Sequence, residues 1–219
     1  MGINLKYELH NVISGKSQVR HGRIIQTIAN YLDQSARASP KTEHSKQYKE
    51  EETEKLKLFI EENNLWVEID LNQYVSEGAE QKVYLKDSES VFKLNDTIYY
   101  ASWRDYFINL LLHNFFFADT AYQLIGFTKV EGVIFAVVEQ AFVIITETTD
   151  LNRVKYFLAE NGFKNTRNND YYNDSLGIII EDLHDENVLT KNNILYFIDT
   201  VFYLTENFNM PLVSFFTDK

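Results

Sequence analysis

Apolar residues recur at helical spacing in four parts of the chain, and short runs of β-branched and aromatic residues separate these parts. The helical spacing predicts helices over residues 19–36, 44–63, 103–122 and 149–161. The short runs predict strands over residues 66–69, 82–85, 91–94, 126–129, 133–138, 177–180, 187–189 and 194–198. Other segments carry no regular pattern, namely 1–20, a linker at 35–40 and an exposed excursion at 165–174. The pattern therefore predicts mixed α+β structure.

Residues 177–204 place polar side chains on the turns between short apolar runs. The cluster 191–193 favours a tight turn, which predicts a β-hairpin whose two ends lie side by side. The hairpin would bring Asn187, before its first strand, close to Asp199, after its second. An Asp carboxylate and an Asn carbonyl oxygen suit Mg²⁺, which combines one or two carboxylates with substrate phosphates. Asp182 would lie across the same turn, where it could orient a hydroxyl or accept its proton.

A polar turn with solvated charges is the alternative interpretation of this stretch, because Asp-rich turns are common. Either carboxylate alone would indicate little. The spacing, the hairpin and the second Asp together favour a phosphoryl-transfer site. His184 is predicted to pack and hydrogen-bond within the loop.

Composition narrows the function classes. The 219 residues are 45% hydrophobic and 15% aromatic, as in a folded globular protein. The formal net charge of -11 disfavours binding to nucleic-acid phosphate. The absence of cysteine excludes disulfides, thiol catalysis and cysteine-based zinc sites. No apolar run reaches the ~18 residues of a membrane span, so we expect no membrane association and a cytoplasmic location.

Residues 182–189, with the sequence DLHDENVL, resemble the catalytic loop of the aminoglycoside and choline kinase-like group. Asp199 resembles the second metal-binding Asp of that fold. The chain more closely resembles the small kinase-like domain found in polyvalent proteins of phages and conjugative elements. This resemblance runs over about residues 65–204, and HNFF at 113–116 and YQLIGF at 122–127 are among its closest matches.

The resemblance implies a compact protein-kinase-like two-lobe fold of the α+β class. Its N-lobe would contain an antiparallel sheet with one helix, its C-lobe would be reduced, and N-terminal helices would precede both. The implied domains are an N-terminal helical extension at 1–64, an N-lobe at 65–140, and a reduced C-lobe at 141–219 with the catalytic loop and the metal-binding hairpin.

The resemblance also implies roles on the hairpin and on the strand that carries the lysine. Asp182 would be the catalytic residue, and Asn187 and Asp199 would hold Mg²⁺. Lys93 would reach the phosphates of ATP, under a loop at 76–81. A strand lysine is otherwise usually just solvated, and a single glycine is a weak sign of a phosphate loop.

Two further sites follow from the same resemblance. Gly78 would lie in the loop over the phosphates. Glu139 and Ala141 would belong to a hinge between the lobes, whose backbone would hydrogen-bond an adenine edge. The alternative is that residues 139–143 simply continue a strand.

Three departures from the kinase pattern bear on activity. No Glu occurs between residues 103 and 127 to pair with the strand lysine, so either Asp105 or another acid would have to replace it, or Lys93 would be less well fixed. Ile180 stands where the group usually has His. Asp199 is followed by Thr200 instead of Phe, which implies a short or missing activation segment.

Two function classes follow. The first is an ATP-dependent phosphotransferase of a bacterial mobile element, of the Ser/Thr/Tyr protein kinase type, that uses Mg²⁺ and moves the γ-phosphoryl group to a hydroxyl acceptor. The acceptor is open between protein side chains, a small molecule and a nucleotide. The second is a catalytically inactive kinase-like module that binds a protein partner.

Overall fold

The computed structural model describes residues 4–37 and 45–210. The helices in this part of the chain are α1 Leu5–Ile13, α2 Gly22–Arg37, α3 Ser45–Glu62, α4 Trp103–Phe116, α5 Leu151–Glu160 and α6 Glu206–Asn209. The strands are β1 Tyr74–Glu77, β2 Lys82–Leu85, β3 Ser90–Asn95, β4 Gln123–Val130, β5 Val133–Ala141, β6 Lys164–Arg167, β7 Asp170–Asn173, β8 Ile178–Glu181, β9 Val188–Lys191, β10 Ile194–Phe197 and β11 Val201–Leu204.

Three antiparallel sheets carry these strands. The largest has the order β1-β2-β3-β5-β4, a second is the hairpin of β9 and β10, and the third has the order β11-β8-β7-β6. This is a mixed α+β structure with antiparallel sheets and several helices, and it is compatible with a kinase-like domain.

Helix α4 lies at the centre of the molecule. Phe107 and Leu111 pack in a core with α2, α3 and strands of the five-stranded sheet. Ile108 and Leu112, on its other side, pack in a second core with α1, α5 and strands of the smaller sheets. Because both sides are apolar and buried, α4 joins the two cores.

The start of α4 is capped twice. The Ser102 side chain accepts a hydrogen bond from the backbone N–H of Asp105, as a helix N-cap does. The Glu52 carboxylate of α3 accepts from the N–H groups of Trp103 at 2.6 Å and Arg104 at 3.2 Å. Burial raises the pKa of Glu52, while these backbone hydrogen bonds act against the rise. The carboxylate thus ties α3 to the first turn of α4.

Most of the predicted helices are confirmed. The predictions at 19–36, 44–63 and 149–161 correspond to α2, α3 and α5, with residue 44 outside the described residues. The predicted helix at 103–122 is too long, because α4 ends at Phe116 and a 3-10 turn follows at Ala118–Thr120.

The predicted strand at 66–69 is wrong. Trp66 makes only an isolated bridge to Phe127. The backbone N–H of Val67 donates to the Phe127 carbonyl at 2.8 Å, and no ladder continues from it in the described part of the chain. The alternation instead reflects packing, since Val67 and Ile69 lie against an apolar cluster on the sheet.

The predicted excursion at 165–174 is also wrong, because this segment forms the hairpin of β6 and β7. Its polar composition belongs to the turn, where Asn168 has a φ of 47°. Tyr171 and Asn173 are buried, and β7 pairs with β8. The hairpin therefore extends the sheet that leads into Asp182.

Two N-terminal predictions change as well. The segment at 1–20, which showed no pattern, contains α1, and the Asn4 side chain caps it. Of the predicted linker at 35–40, residues 35–37 belong to α2 and residues 38–40 lie outside the described residues. In the described ranges, no helix combines the length and the apolar character needed to cross a membrane.

Candidate active site

The predicted hairpin forms as β9 and β10, and it brings Asn187 beside Asp199. The turn residues Asn192 and Asn193 have φ values of 50° and 62°, which suit the two-residue turns of hairpins. The N–H groups of Ile198 and Asp199 both point to the carbonyl oxygen of Asn187, at 2.9 and 3.4 Å. This contact holds the two ends of the hairpin together.

Asp182 follows β8 in a left-handed conformation, with a φ of 65°. The Asn187 side-chain amide donates to the Asp182 carbonyl oxygen and to its Oδ2, each at 2.9 Å. The Nε2 atom of His184 lies 3.3 Å from Asp182 Oδ1. Positive φ is costly for residues other than glycine, although Asp tolerates it better than most. The contacts from Asn187 and His184 offset this cost and hold the carboxylate over the turn.

Asn187 uses its amide nitrogen for these contacts. Among the hydrogen bonds of the described residues, none engages its side-chain carbonyl oxygen. That oxygen and the Asp199 carboxylate are hard oxygen donors, which is the donor type that Mg²⁺ takes.

Lys93 reaches the same place from β3. Its ammonium group lies 2.8 Å from Asp199 Oδ2 and donates to the carbonyl of Ile198 at 3.1 Å. The Lys93 side chain is only 4% exposed, whereas that of Asp199 is 26% exposed. The carboxylate thus faces the cleft, and the ammonium lies behind it.

Asp199 has two further donors on its other oxygen. The Tyr122 hydroxyl shares its proton between the Ile198 carbonyl at 2.7 Å and Oδ1 at 3.1 Å. The Gln81 side-chain amide also donates to Oδ1. Both oxygens of the carboxylate therefore have protein partners in this structure.

Asp182, Asn187 and Asp199 line one cleft, which has a volume of about 280 Å³. It is lined by Gly78, Ala79, Glu80, Gln81, Asn95, Tyr100, Tyr106, Asn109, Leu110, Tyr122, Asp182, His184, Glu186, Asn187, Asp199, Thr200 and Val201. The β1–β2 turn covers it on one side and carries Glu80, α4 closes the back, and the hairpin side carries Asp182 and Asp199.

Glu80 points into this cleft from the β1–β2 turn. Burial raises the pKa of its carboxyl group, and the charges of Asp199 and Asp182 add to that rise. The Tyr100 hydroxyl donates to Glu80 Oε2 at 3.4 Å. The buried hydroxyl of Tyr106 has no hydrogen-bond partner among the described residues. The cleft thus combines a concentrated negative charge with hydroxyl donors.

Gly78 lies in the covering turn, and its N–H donates to the Gln81 carbonyl at 3.0 Å. A Cβ atom at this position would meet nothing within 4 Å. No neighbouring atom therefore requires a glycine at this position.

Glu139 and Ala141 lie near the end of β5 and do not line this cleft. The Glu139 carboxylate binds the Lys86 ammonium at 2.6 Å. Ala141 stands opposite Ser90 of β3. The structure therefore brings Gly78, Lys93, Asp182, Asn187 and Asp199 together and leaves the two predicted hinge residues apart from them.

Of the two kinds of replacement considered for the missing helix Glu, Asp105 or another acid, the structure has another acid. Asp105 is exposed in the first turn of α4, where its N–H donates to the Ser102 cap. The acid that pairs with Lys93 is Asp199 itself.

Sequence reasoning did not find four residues of the site, namely Glu80, Gln81, Tyr100 and Tyr122. Glu80 and Gln81 lie in the loop predicted to cover the phosphates. The sequence therefore indicated where they lie, but it did not indicate which residues they contact. Tyr122 lies in one of the segments that carry the resemblance. No spacing signal links Gln81 to Asp199, which is 118 residues away.

The structure brings together a lysine on a buried strand, an Asp–Asn pair five residues apart, and an Asp after the following hairpin, which is the arrangement that the kinase resemblance implies. Residues 49–206 match the family model described as serine/threonine/tyrosine kinase found in polyvalent proteins. This match covers well over half of the chain, and the chain belongs to that family. No curated protein and no solved structure gave a match.

Proposed function

We propose that this protein is a Mg-ATP-dependent phosphotransferase that moves the γ-phosphoryl group to a hydroxyl acceptor. The observation that supports this most is that Asp182, Asn187 and Asp199 line one cleft, while the Lys93 ammonium contacts Asp199 from behind it. Membership of the kinase family makes phosphoryl transfer the natural chemistry for such a cleft.

The donor set fits a magnesium ion. The carbonyl oxygen of Asn187 and the carboxylate of Asp199 would hold it, and Mg²⁺ so bound would neutralise charge on the phosphates of ATP. When ATP binds, the Lys93 ammonium would donate to the phosphate oxygens and would give up some of its hydrogen bonding to Asp199. The turn at Gly78 would close over them.

Asp182 would act on the acceptor. As the acceptor oxygen forms its bond to the γ-phosphorus, the bond from that phosphorus to the β–γ bridging oxygen breaks, and the acceptor proton passes to Asp182. The hydrogen bonds from Asn187 aim this carboxylate before the acceptor arrives.

For the base of ATP, the end of β5 is the proposed position. Phe142 N–H donates to the Glu89 carbonyl at 2.7 Å, so by the alternation of an antiparallel ladder the backbone groups of Ala141 point away from β3. On the other side of β5, the ladder with β4 begins at the pair of Gln123 and Glu139, so β4 has no residue opposite Ala141. Ala141 is therefore the stronger of the two hinge candidates.

We also infer the larger organisation. The five-stranded sheet with α4 would form an N-lobe at 65–140, and the smaller sheets a reduced C-lobe at 141–219, after an N-terminal extension at 1–64. The family description names polyvalent proteins and favours a protein hydroxyl as acceptor. An origin in a mobile element is part of this proposal.

The test is transfer of labelled γ-phosphate from ATP to a panel of Ser, Thr and Tyr peptides and to the protein itself. Wild type is expected to transfer label in the presence of Mg²⁺. Asp182→Asn should bind Mg-ATP like wild type and transfer at least about 100-fold more slowly, because general-base catalysis contributes on that order. Equal transfer by both proteins would refute the role of Asp182.

The second candidate is a catalytically inactive module that binds a protein. It is favoured by the engagement of both Asp199 oxygens by Lys93, Tyr122 and Gln81. Binding of Mg-ATP without transfer to any acceptor would support this candidate over the enzyme.

A further inference from the structure

A buried histidine lies behind Asp199 without touching the cleft. His113 of α4 is 0% exposed. Its Nδ1 atom is 2.7 Å from the hydroxyl of Thr200, the residue that follows Asp199. Its Nε2 atom is 3.0 Å from the carbonyl oxygen of Thr120. The ring thus bridges the 3-10 turn after α4 and the segment that carries the metal-binding Asp.

The direction of these hydrogen bonds can be assigned. Burial, with a smaller contribution from the charge of Lys93, lowers the pKa of His113 to about 3, so the ring is neutral at physiological pH. A neutral ring has one N–H, and the Thr120 carbonyl can only accept. Nε2 therefore carries the proton, and Nδ1 accepts from the hydroxyl of Thr200.

The segment 198–200 needs such support because it belongs to no strand. It connects β10, which ends at Phe197, to β11, which begins at Val201. Asn187 holds its first two N–H groups. The third residue, Thr200, is held by His113.

Helix α4 makes a second contact just beyond this segment. The side-chain oxygen of Asn109 accepts from the N–H of Phe202 at 2.8 Å. Asn109 and His113 are four positions apart and so share one face of α4. Helix α4 supplies no acid to Lys93. Two of its neutral polar side chains, Asn109 and His113, instead bind the residues that follow Asp199.

We propose that His113 is a positioning residue, which acts through the Thr200 hydroxyl to set the direction in which Asp199 presents its carboxylate to Mg²⁺. This inference rests on the proposed function. A buried histidine must be desolvated and needs a partner for each ring nitrogen, so packing alone would favour an apolar side chain here. Groups that orient a metal ligand typically change metal affinity by 10- to 100-fold when removed.

The test compares two substitutions at Thr200 in the full chain. Thr200→Val keeps the shape and removes the hydroxyl, whereas Thr200→Ser keeps the hydroxyl. Mg²⁺ is titrated at fixed ATP, with bound nucleotide as the readout, and the melting temperature without ligand is recorded for each protein. Thr200→Val should raise the half-saturating Mg²⁺ concentration about tenfold, and Thr200→Ser should restore it to within about twofold of wild type.

A double variant identifies the partner. If the hydroxyl acts through the ring, Thr200→Val should have little further effect on the Mg²⁺ midpoint in a His113→Asn background. A Thr200→Val protein that melts lower but keeps the wild-type midpoint would show a purely structural hydroxyl and overturn this inference alone. If wild type itself shows no Mg²⁺-dependent nucleotide binding, the proposed function fails and this inference fails with it.

Discussion

On the hairpin side of the cleft, Asn187 binds Asp182 across five residues, whereas on the sheet side Lys93 reaches Asp199 across 106 residues. Gln81 reaches Asp199 across 118 residues. The hairpin side therefore depends mainly on local contacts, and the sheet side on the assembled fold. The difference implies that substitutions on the sheet side should affect folding stability and nucleotide binding together, and that those on the hairpin side should separate binding from transfer.

Removal of the Lys93 ammonium should have the largest effect on stability. Lys93→Met keeps the length of the side chain and leaves the Asp199 carboxylate without its cation. Loss of one partner from a buried pair costs about 3–5 kcal/mol, and the partial exposure of Asp199 reduces our expectation to about 2–3 kcal/mol. Urea unfolding of wild type and variant measures this loss.

Lys86→Met is the matched control for that comparison. Lys86 also pairs with a carboxylate, that of Glu139 at 2.6 Å, but at the surface. Exposed pairs contribute little, so its unfolding midpoint should match that of wild type. Equal losses in the two lysine variants would contradict the account of a buried pair.

The buried ring of His113 should make stability depend on pH. Its pKa is about 3 in the folded chain against an ordinary value of 6.5, so the unfolded chain takes up the proton first as the pH falls. The neutral ring therefore contributes its full share to the free energy of unfolding above pH 6.5. This contribution is lost between about pH 6.5 and pH 3, at about 1.4 kcal/mol per pH unit.

The measurement for His113 is the free energy of unfolding between pH 7 and pH 5, in wild type and in His113→Gln. Carboxylates titrate in both proteins, so the difference between the two slopes isolates the ring. Identical slopes would mean that the ring is accessible to protons in the folded chain.

Gln81→Ala should have the smallest effect of these substitutions, and it should strengthen Mg²⁺ binding instead of weakening it. The substitution removes a neutral donor from Asp199 Oδ1 and leaves that oxygen more available to a metal. We expect the half-saturating Mg²⁺ concentration to fall by about two- to threefold, in keeping with the loss of one ordinary hydrogen bond. An increase instead would show that Gln81 contributes to binding the nucleotide complex.

The hairpin side was largely predictable from the sequence. The turn at 191–193 and the apolar runs beside it determine the pairing of β9 with β10, and that pairing places Asn187 next to Asp199. Asp182 lies only five residues before Asn187, so spacing alone brought it near. The chemical roles of these residues remain predictions that follow from the family.

The sheet side was not predictable in the same way. Lys93 stood out only through the resemblance, because a strand lysine has no pattern of its own. The contacts of Gln81 and Tyr122 with Asp199 arise from the packing of distant elements. The Asn-rich segment at 165–174 was wrongly predicted to be an exposed excursion for a related reason. Its turn is polar, and strand β7 becomes buried only when it pairs with β8.

The most direct test of the central claim is the melting temperature of wild type and Asp199→Ala with and without ATP and MgCl₂. A ligand that binds only the folded state at ~100 times its dissociation constant adds about 2.7 kcal/mol, which is readily seen as a rise in melting temperature. We expect wild type to show this rise. Asp199→Ala should melt lower without ligand, because the buried Lys93 ammonium loses its partner, and should show no rise when ATP and MgCl₂ are added. An equal rise in Asp199→Ala, or no rise in wild type, would contradict the account.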